Sequence, residues 1–177
     1  MFERLIDLVA QAWETLSPYV VINAWEQGVV LRFGVFNRVL MPGIHWKIPL
    51  ADYVHQVHTV TTTLRLPPQA LTTKDGHNVV VATIVKYSIT NPVPYVTDIY
   101  DQVDVLGDST MGAIRHAVVA VDWDALKASP PEQIVLDILR KKVNRYGFKI
   151  EAVTFVDLGR IRSLRLIGDS APFNMEN

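Results

Sequence analysis

Hydrophobic positions in the first seventeen residues, MFERLIDLVAQAWETLS, recur every third or fourth place. At about 100° per residue, Phe2, Leu5, Ile6, Val9, Trp13 and Leu16 fall on one face, and Glu3, Arg4, Asp7, Gln11 and Glu14 fall opposite. The pattern predicts an amphipathic helix over residues 1–18, ended by Ser17-Pro18. Three partners suit its apolar face: the chain's own core, the surface of a bilayer, or another subunit or protein. Acidic side chains outnumber basic ones on the polar face, so anionic lipid adds nothing and membrane binding would rest on apolar burial.

From residue 19 the spacing changes. YVVINAW and GVVLRFGVF are β-branched and aromatic, and Glu26-Gln27-Gly28 is expected to part them. Met41-Pro42-Gly43 reads as a turn, and Pro49 interrupts the next short strand. Tyr53 to Leu66 mixes apolar and polar positions, with strand favoured at Thr61-Thr62-Thr63. Asp75-Gly76 between strand-like runs predicts a hairpin with a type I′ turn, and VVVATIVKYSI from Val79 to Ile89 is its second strand. Asn91-Pro92-Val93-Pro94 stops that strand.

Helical spacing follows. Val105, Ala113, Ile114, Ala117, Val118 and Val121 mark one helix within 101–121. Ser129-Pro130-Pro131-Glu132 has the form of a capping box. Behind it Ile134, Val135, Ile138, Leu139, Val143 and Tyr146 share a face, with Gly147 as the C-terminal cap. Residues 148–158 return to strand. A mainly antiparallel, meandering sheet followed by packed helices and a closing strand is an α+β domain.

Composition changes this picture little. The 177 residues suit one domain, and 49% hydrophobic with 20% charged residues is a globular balance. A net charge of −1 offers no field for nucleic acid. With no cysteine there are no disulfides, thiolate metal sites or cysteine nucleophiles. No apolar run reaches the length of a spanning helix, and Glu3, Asp7 and Glu14 do not fit a secretory signal. Charge is segregated, however. Residues 98–137 hold eight acids and two bases, net −6, and residues 140–165 hold eight bases and two acids, net +6. Each block reads as a solvated helical face, and the two together also suit head-to-tail packing of copies.

Candidate chemistry is sparse. There is no glycine-rich phosphate loop, and Ser109 in Gly107-Asp108-Ser109-Thr110-Met111 is not a nucleophile elbow. On a strand, His55 and His58 point to opposite faces, so they do not make a metal pair. Asp122 and Asp124, around Trp123, read as caps of a short turn and not as an acid–base pair. The expectation is no enzyme activity, no catalytic residue, no metal, no cofactor and no small-molecule substrate.

Four motifs in order carry a resemblance. Trp25-Glu26-Gln27-Gly28-Val29-Val30-Leu31-Arg32-Phe33-Gly34 is similar to the opening of the SPFH, or Band 7, domain of stomatins, prohibitins, flotillins and bacterial regulators of a membrane AAA protease. Pro42-Gly43-Ile44-His45-Trp46-Lys47-Ile48-Pro49 resembles the family's second motif, and Leu71-Thr72-Thr73-Lys74-Asp75-Gly76 its third. Gly147-Phe148-Lys149-Ile150-Glu151-Ala152-Val153 resembles the closing strand, and Arg115 falls where the family has an arginine in its middle helix. The resemblance implies structural roles for Glu26, Gly28, Arg32, Gly34, Pro42, Gly43, Pro49, Lys74, Asp75, Gly76, Arg115 and Gly147, with the glycines easing the backbone at turns. It divides the chain into the helix at 1–18, an SPFH domain at 19–160 and a short C-terminal extension at 161–177 without the family's coiled coil. It implies a non-enzymatic scaffold that assembles laterally as a homo-oligomeric ring or cage, peripherally on a membrane lipid surface, and modulates a membrane protein or protease. Trp25, Phe36 and Trp46 are expected at a lipid-facing edge, together with the apolar face of 1–17. The alternatives are a subunit of a soluble or viral (phage) particle, in which that face docks another subunit, or a small regulator that joins larger SPFH complexes.

Overall fold

The structure, a computed structural model, describes residues 17–161. The amphipathic stretch up to Leu16 and the extension from residue 162 lie outside the described residues.

Five short strands come first: β1 (Tyr19–Ile22), β2 (Glu26–Arg32), β3 (Val35–Leu40), β4 (Gly43–Trp46) and β5 (Asp52–His58). β1 and β4 form a two-stranded sheet, and β2 runs between β3 and β5 in a second sheet. Two departures from the sequence reading appear here. Glu26, Gln27 and Gly28 lie inside β2, and the break falls one step earlier, where Glu26 N–H bonds Asn23 O at 3.1 Å. The GVVLRFGVF run is in turn folded at Phe33-Gly34, because Arg32 pairs with Val35 across a two-residue loop. Both loop residues have positive φ, 51° and 82°, so this is the type I′ turn.

The second half is larger. β6 (Thr62–Arg65) and β7 (Gln69–Thr72) lie in succession along one side of β8 (Asn78–Ile89), and β9 (Phe148–Arg160) runs along the other side. All strand pairs are antiparallel, as expected, but they form three sheets and not one meander. The β7–β8 hairpin forms at Asp75-Gly76 with a different turn. Thr73 O accepts from Gly76 N–H at 3.0 Å, and only Gly76 has positive φ. That is a type I turn closed by a left-handed glycine, the three-residue hairpin.

Among the described residues four helices cover this sheet: α1 (Pro92–Thr97), α2 (Gln102–Val119), α3 (Trp123–Ala128) and α4 (Glu132–Val143), the last followed by a 3-10 turn at Asn144–Tyr146. α1 was not legible. The Asn91-Pro92 stop is also a start, since Asn91 Oδ1 accepts from Val93 N–H at 3.2 Å and proline sits in the first turn. The expected capping box at Ser129 does not form. Pro131 occupies the N-cap, and Glu132 turns away so that its Oε1 accepts from Phe155 N–H at 2.6 Å on β9. About two turns along, Arg140 Nε donates to Ile150 O at 3.0 Å. Both backbone groups lie on the side of β9 that faces away from β8. Ile134 is exposed instead of buried, and Leu136 takes its place in the core.

Two cores result. Alternate β8 residues, Val79, Val81, Val85, Tyr87 and Ile89, meet the buried faces of α2 and α4, and Tyr95 and Phe148 stack edge-on at 5.3 Å. A smaller cluster of Ile22, Val30 and Leu40 joins the first two sheets. Gly147 caps the 3-10 turn in the left-handed region, and a Cβ there would stand 1.9 Å from Asn91 O.

Candidate functional site

The type I′ turn carries Phe33 at its tip, and a second turn leads from Trp46 to Asp52. The two are tied together: Phe33 N–H bonds Ala51 O at 2.9 Å. Asp52 holds the pair from below. Arg32 donates from Nε to Oδ1 at 2.7 Å and from Nη2 to Oδ2 at 3.1 Å, and Ile48 N–H reaches Oδ2 at 3.0 Å. The guanidinium, and then the Ile48 N–H, hold the Asp52 pKa down at about 2, so the clamp is ionised at neutral pH.

Above this clamp stand two bulky apolar side chains. Phe33 and Leu50 are each 81% exposed, and both have positive φ, 51° and 65°. Phenylalanine and leucine are disfavoured in the left-handed region, and water gives them nothing in return. The exposed apolar surface continues on the β1–β4 sheet. Its register pairs Tyr19 with Trp46 and Val21 with Ile44, and all four are exposed on the face turned away from Ile22. Cross-strand pairs of this kind normally cover a core. The described chain begins beside them, with Lys47 N–H bonded to Pro18 O at 2.8 Å.

The sequence-derived positions are scattered around this frame, and most have a structural account. Glu26 is buried, with Oε2 2.9 Å from Asn23 Nδ2 and Oε1 3.4 Å from His58 Nδ1. Gly28 is not at a turn. It lies in mid-strand, where a Cβ would stand 2.9 Å from Ile22 Cδ1. Gly34, Gly43 and Gly76 do sit at positive φ. Pro42 precedes β4, and Pro49 lies in the Leu50 turn. Lys74 N–H bonds Val121 O at 3.0 Å. Asp75 accepts the Thr73 hydroxyl, then Trp123 N–H at 3.1 Å, and these bonds lower its pKa. Asp75 thus caps α3 in place of Asp122, whose side chain makes no cap bond. Arg115 is exposed on α2. Trp25, Phe36 and Trp46 are all exposed. Phe2, Leu5, Ile6, Val9, Trp13 and Leu16 lie outside the described residues.

Sequence reasoning missed Phe33, Leu50 and Asp52. The signal for Phe33 was its place beside Gly34 in a two-residue loop, and Asp52 carried none before the strands were paired. Among the described residues no three His, Asp or Glu side chains converge as metal ligands, and no helix is long and apolar enough to cross a membrane.

The sequence profile of the SPFH domain / Band 7 family matches residues 20–162. The chain belongs to the SPFH domain / Band 7 family. Its SPFH domain is 30% identical over 127 residues to the modulator of FtsH protease HflK of Escherichia coli strain K12, covering 70% of this chain and 30% of that protein. It is 28% identical over 130 residues to protein HflK of Vibrio parahaemolyticus, covering 73% of this chain and 32% of the relative. An uncharacterized protein of Archaeoglobus fulgidus is 25% identical over 154 residues, 86% of this chain and 62% of that one. The chain therefore spans about a third of the length of these HflK proteins.

Proposed function

We propose that this SPFH domain is a non-enzymatic scaffold that seats on a membrane surface by its Phe33–Leu50 tip, assembles laterally with further copies, and modulates a membrane-bound protease or other membrane protein. The observation that carries the reading is the tip itself. Two apolar side chains stand on adjoining turns in disfavoured backbone conformations, each 81% exposed, and an ionised clamp ties the two turns together. Burial in an apolar phase is what such an arrangement gains from, at about 25 cal/mol per Å² of apolar surface removed from water. Trp46 and Tyr19, beside the tip, have the amphipathic rings suited to a headgroup layer. Pro18, which bonds Lys47 N–H, lies at the same end, so the apolar face expected for residues 1–17 supplies a second attachment in this reading. Similarity to a modulator of FtsH protease supports a protease as the partner modulated.

Flotation on neutral phosphatidylcholine vesicles tests this. The informative variant is Phe33→Asn with Leu50→Asn, because asparagine tolerates positive φ and the fold gains where the membrane contact loses. Wild type is expected to float and the variant to stay at the bottom with an unchanged or raised Tm. A variant that floats like wild type overturns the tip. If the wild type does not float, the apolar end belongs to a protein interface of a soluble particle.

A further inference from the structure

The helical layer, distant in sequence from the tip, carries two unpaired charged flanks. On α2 and its N-cap, Asp101, Asp104 and Asp108 are exposed at spacings that place them along one side of the helix. On the other side of the same exposed face, Val105 and Ser109 border Lys141, Lys142, Arg145 and Tyr146. Lys149 extends this basic edge beside Arg140 and Lys141. None of these acids and bases takes part in an ion pair among the described residues. The acidic side is also concave. A cleft of about 890 Å³ opens between β5 and the turn from α1 to α2, with Asp98, Tyr100 and Asp101 on one wall and His55 and Gln56 on the other. Tyr100, on that wall, is 100% exposed.

We propose that this cleft and the acidic flank of α2 receive a second copy of the chain, through the basic edge of its α4 end: Lys141, Lys142 and Arg145 of one copy against Asp101, Asp104 and Asp108 of the next. The inference rests on the lateral assembly proposed above and names the surfaces that make it. Charge complementarity selects the occupant, because neither block has an ion-pair partner among the described residues and the two are equal in number and opposite in sign. Tyr100 supplies what exposed charges do not, a large rigid apolar anchor with a polar end, the residue type favoured at interface centres. The charges steer encounter and fix register more than they add affinity, and salt weakens them. Two such patches can meet reciprocally in a closed pair or head to tail in a row, and the lateral assembly proposed above takes the row, a heterologous contact. Every added copy leaves one acidic and one basic face open until the row closes into a ring.

Sedimentation velocity of the full 177-residue chain tests this at about 20 mM and about 500 mM salt. One variant reverses the acidic flank (Asp104→Lys with Asp108→Lys). The other reverses the basic edge (Lys141→Glu with Arg145→Glu). Wild type is expected to form species larger than a dimer at low salt and to dissociate at high salt. Each variant should associate at least about tenfold more weakly while keeping the wild-type circular dichroism spectrum. Mixed in equal amounts, the two variants should recover large species, since a reversed acidic flank then meets a reversed basic edge and the remaining faces meet as in wild type. A wild type that is monomeric at low salt, species that stop at the dimer, reversals that leave association intact, or a folded mixture that stays small each overturns the proposal. Flotation of the same proteins keeps the two readings apart. Vesicle binding with no recovery on mixing removes this contact alone, and recovery without vesicle binding removes the membrane tip alone.

Discussion

Gly28 and Gly34 are both glycines of one motif, and they are glycine for different reasons. At Gly34 the backbone is left-handed and no atom lies within 4 Å of an added Cβ. At Gly28 the φ is ordinary, but Ile22, Leu40 and Val54 close on the site from three sides, the nearest at 2.9 Å. Gly34→Ala is therefore expected to lose about 1 kcal/mol, most of it recovered by Gly34→Asn. Gly28→Ala should lose about 1–3 kcal/mol through overpacking, and no larger side chain recovers it. Urea midpoints of the three variants check the contrast. The motif made both glycines visible in the sequence, but only strand pairing showed that one answers to space and the other to torsion. Asp52 gives a pH test at the same scale. Its folded pKa of about 2 lies below the ordinary carboxylate value near 3.9, so its contribution is complete above about pH 4 and is lost as pH falls through 2. Urea midpoints measured from pH 5 to pH 2 should fall more steeply for wild type than for Asp52→Asn, which starts lower at neutral pH.

Among the elements, the β7–β8 hairpin shows what local spacing conveys and what it hides. Asp75-Gly76 announced a hairpin, and a hairpin is there. The turn type followed from the partner and not from the dipeptide, because Asp75 is needed elsewhere. Its carboxylate reaches out of the loop to the first N–H of α3, 48 positions along the chain. Asp75→Ala should therefore speed amide exchange at the start of α3 and lower Tm while leaving the hairpin paired. Hydrogen–deuterium exchange resolved by residue reads both at once. Glu132 makes the same point from the other direction. It stands three residues after Ser129, as a capping box requires, yet it bonds β9 instead, since two prolines between them hold the chain out of the box geometry. Local rules located these residues and tertiary partners decided their use. Strands β8 and β9 and helix α2 were legible because long periodic runs leave little to tertiary choice, whereas α1, only 6 residues long, has too few turns to show a period.

At the scale of the molecule, the described residues form two unequal cores on one chain. The sheet around β8 buries twenty residues with the helices, while the first two sheets share Ile22, Val30 and Leu40. Opening free energy follows buried apolar contact, so β1 to β4 are expected to exchange their amides earlier than β8 and β9 under conditions where the chain stays folded. The α+β class was legible because strand-like and helix-like stretches separate cleanly along the sequence. The apolar tip was not, because its residues come from two turns that meet only after β2 pairs with both neighbours. One last consequence follows from the way α4 lies along β9. Between Ile150 and Phe155 two outward backbone groups of that strand, Ile150 O and Phe155 N–H, are already engaged by Arg140 and Glu132. A free strand edge is the usual template for fibrous aggregation when identical chains are crowded. Here β9 has two of those groups taken within its own fold, which blunts that edge as a template. That edge is thereby less open to the strand of another chain.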